Sequence, residues 1–225
     1  MSKHLPLLLV VAFIHYSCHS LEGRFVKNYS TNHIKNIHQE CNTDLEFEIF
    51  ERAMIGLNEL PNFRNRNIIT IIDYSKPSHV KRLYVIDLKN KKVLYNSLVS
   101  HGINSGKTEV DSISNVIESR KSSVGFMMAS ETYLGDHGLS LRLDGLETGI
   151  NDNVRKREIV IHSADYATQK FLDENGYLGR SYGCPAIAPD ISESIINLIA
   201  FGSCVYIHTN HPDYLKESKI KIDLH

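Results

Sequence analysis

The chain contains no tryptophan and has no excess of basic charge. Its 225 residues carry 25 Lys and Arg against 26 Asp and Glu, which gives a formal net charge of −1. Without Trp, no Trp-based cage for a ligand is available. Without a positive field, nothing holds a phosphate backbone by charge, so we discount nucleic acid as a substrate or partner.

Internal repeats, low-complexity segments and the common zinc motifs are also absent from the sequence. Neither an HExxH pattern nor a CxxC pair occurs, so the spacing gives no support to a metal site. A zinc site built from His101, His137 and His162 remains an open alternative. We expect no metal and no cofactor. The length and the 42% apolar content are those of one ordinary globular domain.

Long apolar runs are missing except at the N-terminus. The run at residues 5–14 is too short to cross a bilayer as a helix, and a weakly basic stretch precedes it. Small residues follow, and cleavage after Ser20 would remove residues 1–20 as an export signal. We therefore expect a location in the periplasm or cell envelope and no membrane span after cleavage. The alternatives are an uncleaved apolar helix and lipidation of Cys18.

Three cysteines remain beyond the export segment: Cys41, Cys184 and Cys204. An odd number in an exported protein predicts one free thiol or one intermolecular bond. Cys204 lies in an apolar strand pattern, where cysteine is usually a packing residue. A disulfide between Cys41 and Cys204 is an open alternative.

Residues 21–62 are predicted as a linker followed by one helix. The first part of this segment is polar and has no helical periodicity, which predicts the linker. Thr43, with Glu46 as its capping-box partner, predicts the start of the helix. Residues 63–210 are predicted as the main domain, and residues 211–225 as a polar tail on the surface.

Short β-branched or alternating runs dominate the main domain and predict a mostly β fold. Turn residues separate the runs at hairpin-length intervals, which favours an antiparallel-rich sheet, a sandwich or a barrel, with a few peripheral helices. One helix is predicted at 189–200, where apolar residues recur on one face. The predicted strands are 68–74, 83–88, 93–99, 124–129, 139–143, 158–161 and 205–209.

Cys184 and His162 have the surroundings that nucleophilic catalysis requires. Cys184 follows Gly183 in a polar loop, and His162 ends an apolar strand pattern. A thiol attacks a carbonyl carbon as the thiolate, which a nearby imidazole generates, and backbone amides beside the thiol hold the oxyanion. The pattern predicts acyl transfer through a thioester. The alternatives are an inert buried thiol at Cys184 and a structural histidine at His162.

Several segments between residues 68 and 207 occur in an order typical of one enzyme family. They include DYS at 73–75, VSHGINSG at 99–106, KSSVGF at 121–126, SLRLDGLE at 140–147 and GRSYGCPA at 179–186. In these segments the chain resembles the catalytic domain of YkuD-type murein L,D-transpeptidases, in the second YkuD-like subfamily. The resemblance implies a YkuD-like, β-rich fold with the cysteine on a loop. It also implies cleavage between meso-diaminopimelate and D-alanine in a peptidoglycan stem tetrapeptide.

The resemblance also implies roles for the residues around the loop. Cys184 aligns with the family's nucleophile, His162 with its base, and Ser163 with the neighbour that orients the imidazole. The backbone amides of Tyr182, Gly183 and Cys184 align with the oxyanion hole. The mechanism so implied requires no metal.

The substrate contacts are less well defined, because the loop departs from the better-known subfamily. Tyr182 stands in place of a His and Ala186 in place of an Arg. Arg180 is a candidate for binding a substrate carboxylate, because a guanidinium pairs with a carboxylate through two hydrogen bonds; the alternative is a surface ion pair. The candidate substrate contacts are Arg180, Ser181, His101, Ser123, Arg142 and Tyr133, the last on a loop that is a candidate lid.

The sequence as a whole predicts an exported cysteine acyltransferase that acts on peptidoglycan stem peptides. The acyl group passes to water or to an amine, carried by another stem, a lipoprotein or an outer-membrane protein. Two alternatives remain open. One is an L,D-carboxypeptidase or endopeptidase that hydrolyses stem peptides or wall-protein linkages. The other is a non-catalytic wall-binding domain.

Overall fold

The computed structural model of the protein describes residues 28–60 and 63–220. The predicted export signal at residues 1–20 lies outside this range. No helix within the described residues is both long enough and apolar enough to span a bilayer.

Eight strands of the described chain form one mixed sheet. They are β1 (Asn65–Asp73), β2 (Leu83–Asp87), β3 (Lys92–Ser97), β4 (Gly125–Gly135), β5 (Gly138–Gly145), β6 (Val160–Ser163), β7 (Ala186–Ile187) and β8 (Ser203–His208). Their order in the sheet is β3-β2-β1-β8-β4-β5-β6-β7. The pairs β1–β8 and β6–β7 are parallel, and the other neighbours are antiparallel.

The prediction of a sheet-dominated fold with peripheral helices is confirmed. All seven predicted strands are present, and among the strands of the described residues the two-residue β7 is the one that was not predicted. The central strand β8 is buried along its whole length, and β1 is buried from Ile68 to Asp73. Strands buried on both faces have continuous apolar runs instead of alternating ones, which is the pattern that the sequence shows there.

The described residues form five α-helices. They are α1 (Thr31–Cys41), α2 (Phe47–Glu59), α3 (Gln169–Asn175), α4 (Pro189–Ile199) and α5 (Pro212–Glu217), with short 3-10 helices at Ile103–Ser105 and Asp165–Ala167. Helix α4 agrees with its prediction. Helix α2 packs on β1 and β8, and α4 packs on β1, β4, β5 and β6. The sheet is therefore covered by apolar helix faces, which hold the strands that carry the candidate site.

Helix α1 lies where a linker was predicted, so that prediction is wrong for residues 31–41. Ser30 begins the helix by accepting a hydrogen bond from the His33 amide. The helix buries Ile34, Ile37 and Cys41. Three apolar residues among many polar ones form too narrow a stripe to show clear periodicity, which is why the helix was missed.

The predicted start of α2 is also wrong. The Thr43 hydroxyl accepts a hydrogen bond from the Leu45 amide at 3.2 Å, so it closes a turn instead of capping the helix. The helix begins at Phe47, after Glu46, and no side chain caps it.

The segment after β8, predicted as a polar tail on the surface, forms helix α5 and packs on the protein through three buried residues, although most of residues 212–220 are exposed. Tyr214 of α5 is buried. The Ser218 hydroxyl donates to Glu147 Oε1 at 2.6 Å, and the Phe126 amide donates to Glu147 Oε2 at 2.7 Å. Burial raises the pKa of Glu147. This carboxyl group therefore ties the end of the described chain to strand β4.

The three described cysteines, Cys41, Cys184 and Cys204, are all free thiols. The disulfide between Cys41 and Cys204 that the sequence left open is not formed. Both of these thiols are buried, whereas Cys184 is partly exposed. Burial raises the pKa of Cys41 to about 11 and raises that of Cys204 further.

Candidate active site

The parallel pairing of β6 with β7 brings Cys184 and His162 to the same edge of the sheet. His162 in β6 lies opposite Ala186 in β7, and Cys184 comes two residues before Ala186. The Cys184 Sγ atom accepts a hydrogen bond from the Val160 amide at 3.4 Å and donates one to the Glu158 carbonyl at 3.5 Å. The thiol therefore lies against the start of β6, on the strand that carries His162.

The His162 imidazole is held in one orientation by its own strand. The residue is buried, with 4% of its surface exposed. Its Nδ1 atom donates to the Ser163 carbonyl oxygen at 2.9 Å. In a neutral imidazole this leaves Nε2 as an acceptor, which a general base requires. Ser163 thus contacts the ring through its backbone, not through its hydroxyl group.

A second imidazole lies over His162. His137, between β4 and β5 at the tip of their hairpin, stacks on the His162 ring with centroids 4.5 Å apart and planes inclined by 26°. The hairpin therefore covers the buried ring. No hydrogen bond among the described residues joins His162 to Cys184, because both bonds of the thiol go to backbone atoms.

Burial moves the pKa values of the two groups in opposite directions. It raises the pKa of the Cys184 thiol above its ordinary value of 9.0. It lowers the pKa of His162 below its ordinary value of 6.5, and His137 adds to this lowering. At pH 7 both groups are therefore uncharged. The pair is suited to general-base transfer of the thiol proton and not to a preformed thiolate–imidazolium pair.

Gly183 gives the loop before Cys184 its tight turn. Its φ angle is +128°, a conformation that residues with a Cβ atom rarely adopt. A Cβ atom there would lie 2.8 Å from Ile159 Cδ1 and 2.9 Å from the Lys121 carbonyl oxygen. Glycine is therefore the residue that lets residues 179–186, called the nucleophile loop after the role predicted for Cys184, pack against these neighbours.

Two of the three predicted oxyanion donors are free. The Gly183 amide donates to the Ser181 hydroxyl at 3.0 Å, and that hydroxyl donates to the Cys184 carbonyl at 2.6 Å. The amides of Tyr182 and Cys184 donate to no acceptor in the part of the chain that the structure describes. The turn thus presents two amides instead of three. Ser181 is buried and its hydroxyl holds the turn; its role as a substrate contact stays a prediction.

His101 and Ser123, both predicted as substrate contacts, are buried. His101 Nδ1 accepts a hydrogen bond from Arg82 at 2.8 Å, and its Nε2 donates to the Gly106 carbonyl at 3.3 Å. Burial lowers the pKa of His101 to about 4. The Ser123 hydroxyl accepts a hydrogen bond from Arg157. The polar side-chain atoms of both residues are hydrogen-bonded inside the protein, and their roles as substrate contacts stay predictions.

The backbone around His101 supports the nucleophile loop instead. The His101 carbonyl accepts a hydrogen bond from the Ser181 amide at 2.9 Å. The Ser100 amide donates to the Ala186 carbonyl at 2.9 Å. Because Ser181 and Ala186 flank Cys184, this segment fixes the loop on both sides of the thiol.

The remaining three predicted substrate contacts are partly exposed and stay candidates. Arg180 donates to the Gly106 carbonyl at 3.1 Å and forms no ion pair with any described carboxylate. The Arg142 guanidinium lies 4.3 Å from the centroid of the Tyr133 ring and 3.5 Å from Glu131 Oε1. Arg142 and Tyr133 lie on the β4–β5 hairpin that covers His162.

A cleft of about 710 Å³, which sequence reasoning missed, opens beside Tyr182 of the nucleophile loop and Glu158, whose carbonyl contacts the thiol. It is lined by Asn104, Ile117, Glu118, Arg120, Lys156, Arg157, Glu158 and Tyr182. Three of these, Glu118, Arg120 and Glu158, have left-handed backbones with φ angles of 59°, 54° and 55°. Such conformations are costly for residues with a Cβ atom and collect at functional sites. Residues in loops give no periodic pattern in the sequence. The charged run at 155–158 was therefore the one sequence signal for the residues that line the cleft.

No group of three or more His, Cys, Asp or Glu side chains within residues 28–60 and 63–220 is placed to hold a metal ion. Among the three histidines of the alternative zinc site, His137 and His162 stack on each other. His101 is bonded to Arg82 instead.

The sequence profile of the L,D-transpeptidase catalytic domain matches residues 41–208. The chain belongs to this family. The matched segment contains the nucleophile loop, His162 and every strand of the sheet. No curated protein matches the chain.

Solved structures of L,D-transpeptidases are similar to the chain at low sequence identity. The enzyme from Mycobacterium smegmatis is 13% identical, with a TM-score of 0.40 over 64% of this chain and 59% of that one. The enzyme from Stackebrandtia nassauensis is 13% identical, with a TM-score of 0.39 over 80% and 77%. One from Mycobacterium tuberculosis is 12% identical, with a TM-score of 0.41 over 64% and 58%. The chain thus spans less than two thirds of these two mycobacterial enzymes.

Proposed function

We propose that the protein is an exported cysteine acyltransferase of peptidoglycan. It breaks the bond between meso-diaminopimelate and D-alanine in a stem tetrapeptide and passes the acyl group to an amine. Membership of the L,D-transpeptidase family supports a peptidoglycan-modifying enzyme. The observation that carries the proposal is the position of the Cys184 thiol, which lies against the first residue of the strand that carries the buried His162 and contacts Glu158, a residue of the open cleft.

The first half-reaction forms a thioester on Cys184. The side chain turns from the Glu158 carbonyl towards His162, whose Nε2 takes the thiol proton. The thiolate attacks the diaminopimelate carbonyl carbon, and the free amides of Tyr182 and Cys184 donate to the oxyanion. The C–N bond then breaks, and D-alanine leaves as an amine with the proton that His162 held.

The second half-reaction consumes the thioester. The acceptor amine attacks the acyl carbon, His162 takes one proton from that amine, and the C–S bond breaks as the new C–N bond forms. The proton then returns to the Cys184 sulfur. Water in place of the amine gives a free carboxylic acid and a shortened stem. The acceptor that the site admits therefore decides between cross-linking and trimming.

The charges of the cleft support a stem peptide as the substrate. Arg120 and Lys156 present cations, and Glu118 and Glu158 present carboxylates. The Tyr182 ring is 68% exposed, and the Arg120 guanidinium lies 4.4 Å from its centroid. The diaminopimelate residue of a stem carries both a carboxylate and a free amine, so both signs of charge find partners. The volume of the cleft also suits a ligand of that size.

Product analysis tests the proposed reaction. The purified protein is incubated with disaccharide tetrapeptide that contains meso-diaminopimelate, and the products are separated and weighed by mass spectrometry. A cross-linked dimer with release of one D-alanine per linkage is the expected result. A shortened stem without dimer indicates the carboxypeptidase alternative. An unchanged tetrapeptide, with added lysine-bearing acceptor peptide also unchanged, contradicts both.

Export is part of the proposal and rests on the apolar run at residues 5–14. A mature protein in the periplasm or envelope has access to stem peptides and to lipoproteins or outer-membrane proteins as acceptors. Expression of the full chain in a Gram-negative host, followed by mass measurement of the periplasmic product, is expected to show loss of residues 1–20. Recovery of the intact chain from the cytoplasm contradicts export.

The pH profile of kcat/KM is expected to have a broad plateau. The base must be neutral, so activity is lost as pH falls through the His162 pKa, which burial places below 6.5. The thiol must carry its proton in the resting pair, so the upper limb lies at the Cys184 pKa, which burial places above 9.0. Initial rates from pH 5 to pH 10 check both limbs. An upper limb near pH 7 would indicate a preformed ion pair and contradict general-base transfer.

A further inference from the structure

A partly buried guanidinium without an acidic partner lies behind the nucleophile loop. Arg157 Nη1 donates to the Ser114 carbonyl and the Ser123 hydroxyl. Its Nη2 donates to the Ser119 hydroxyl at 3.1 Å and to the Lys121 carbonyl at 2.5 Å. All four acceptors are neutral oxygen atoms, and no carboxylate in the described chain forms an ion pair with Arg157.

The same guanidinium faces the turn that presents Cys184. Arg157 Nη2 lies 3.6 Å from the point that a Cβ atom on Gly183 would occupy. The thiol itself donates to the carbonyl of Glu158, the residue next to Arg157. Each group feels the charge of the other: Arg157 lowers the pKa of Cys184, against the larger effect of burial, and the thiolate raises the pKa of Arg157.

Partial burial of a cation costs free energy, and hydrogen bonds to neutral oxygens offset that cost only in part, because they satisfy its donors but not its charge. Burial lowers the pKa of Arg157, as an unpaired cation requires. The resting site holds a neutral thiol, and the neighbouring Glu158 carboxylate forms no ion pair with Arg157. The negative charge at the thiol appears only when Cys184 ionises or an oxyanion forms. A fixed cation stabilises a reactive state when it lies next to an atom that becomes negatively charged only during the reaction.

We propose that Arg157 is a positioning residue whose permanent charge stabilises the Cys184 thiolate while its hydrogen bonds hold segment 114–123 against the nucleophile loop. This inference rests on the proposed function, in which Cys184 is the nucleophile. Arg157 touches no reacting atom, and it acts through Cys184. It stands apart from the six substrate contacts predicted from sequence, and no motif contains it.

Other titratable groups also face the thiol and set the background for this charge. Glu158 raises the pKa of Cys184, and the thiolate in turn raises the pKa values of Tyr166 and Tyr74. His162 lies on strand β6, opposite Ala186, which follows Cys184 by two residues. Glu158 opposes the thiolate, and neither tyrosine nor the neutral imidazole offers a positive charge at pH 7. Among the titratable groups near the thiol, Arg157 is the one that carries a permanent positive charge.

The test measures the ionisation of Cys184 directly. Wild type and variants react with iodoacetamide from pH 6 to pH 10.5, and peptide mass spectrometry gives the alkylation rate at each cysteine. Arg157→Gln removes the charge and keeps hydrogen-bond donors. It is expected to raise the midpoint for Cys184 and to slow its alkylation at pH 8 by roughly tenfold, the thiolate fraction lost per unit of pKa. Arg157→Lys keeps the charge and is expected to stay within about threefold of wild type.

Two matched variants distinguish the effect of the Arg157 charge from the effect of its hydrogen bonds to segment 114–123. Ser119→Ala removes one hydrogen bond of Arg157 and leaves its charge, and no shift of the Cys184 midpoint is expected. Arg155→Gln removes a cation two residues earlier that pairs with Glu131 and Asp144 on the surface, and no shift is expected there either. An unshifted midpoint in Arg157→Gln overturns the proposal. So does a shift of equal size in Ser119→Ala. If the Gln variant does not fold, a tenfold loss in Arg157→Lys overturns it.

The internal cysteines distinguish failure of this inference from failure of the proposed function. Cys41 and Cys204 are buried thiols with raised pKa values and serve as unreactive references. If wild-type Cys184 reacts no faster than these two, Cys184 is not an activated nucleophile and the proposed function fails. If wild-type Cys184 is reactive and Arg157→Gln leaves it unchanged, only the role of Arg157 fails.

Discussion

Replacement of Cys184 by alanine is expected to reduce conversion of tetrapeptide to the background rate. Removing the nucleophile of a covalent mechanism costs a factor on the order of 10⁴ or more in kcat, because the residual site only binds and polarises the substrate. The rate is measured as D-alanine released and as dimer formed per enzyme. Both products are expected to disappear together, because both arise from the same thioester on Cys184.

Cys41→Ala is the matched control for this variant. Cys41 ends α1 and is a free, buried thiol away from the nucleophile loop, so its removal is expected to leave turnover near that of wild type. The circular dichroism spectra of the two variants should match that of wild type. Continued processing of tetrapeptide by Cys184→Ala, at more than a few per cent of the wild-type rate, would show that another group carries the reaction.

Arg82→Met is expected to lower the free energy of unfolding by about 3–5 kcal/mol, because it leaves buried acceptors without a donor. Arg82 is fully buried beneath the Tyr74 ring, 4.7 Å from its centroid. It donates to the Val99 carbonyl at 3.0 and 3.2 Å, to the Lys76 carbonyl at 2.8 Å and to His101 Nδ1 at 2.8 Å. Urea denaturation followed by circular dichroism gives the change.

The effect of Arg82→Met is expected to reach the candidate site as well. Arg82 fixes residues 99–101, and this segment holds the nucleophile loop through Ser181 and Ala186. Lys81→Met is the control, since Lys81 is exposed and next in sequence, and its effect is expected within ±0.5 kcal/mol. A loss below about 1 kcal/mol in Arg82→Met would contradict the account of this buried cation.

Much of the fold was predictable because the strands have simple patterns. The alternating and β-branched runs gave all seven long strands, and the one-sided apolar pattern after Pro189 gave α4. Strand β7 has two residues, too few for any period. Helix α1 was missed because its buried stripe is narrow, and the start of α2 was misplaced because Thr43 closes a turn two residues on.

The positions of Cys184 and His162 were more predictable than the surroundings of the candidate substrate contacts. Cys184 and His162 were predicted from residue type and local setting, and the structure brings them to one sheet edge. His101, Ser123 and Ser181 lie in the same motifs, yet their polar atoms face inward and are bonded to other parts of the chain. A motif shows which residues are near a site but not which way each side chain points.

The cleft and the Arg157 guanidinium that lines it could not be predicted from the sequence. Glu118 and Arg120 lie in a loop, and Arg157 lies before β6, so none of them contributes to a periodic pattern. Their meeting depends on how segment 114–123 folds against residues 157–160, which involves contacts between residues more than thirty positions apart. Such contacts are a property of the tertiary fold, and local sequence carries little information about them.

Acylation by a carbapenem tests the central claim that the Cys184 thiol is the nucleophile for acyl transfer. The β-lactam carbonyl opens on attack by a thiolate, and the ring nitrogen takes the proton, so the enzyme gains the whole mass of the compound and keeps it as a thioester. Intact mass spectrometry of wild type and Cys184→Ala, followed by peptide mapping, locates the adduct. The account predicts one adduct per wild-type chain, on Cys184, and none on the variant. A wild-type protein that stays unmodified, or an adduct that persists in Cys184→Ala, would contradict it.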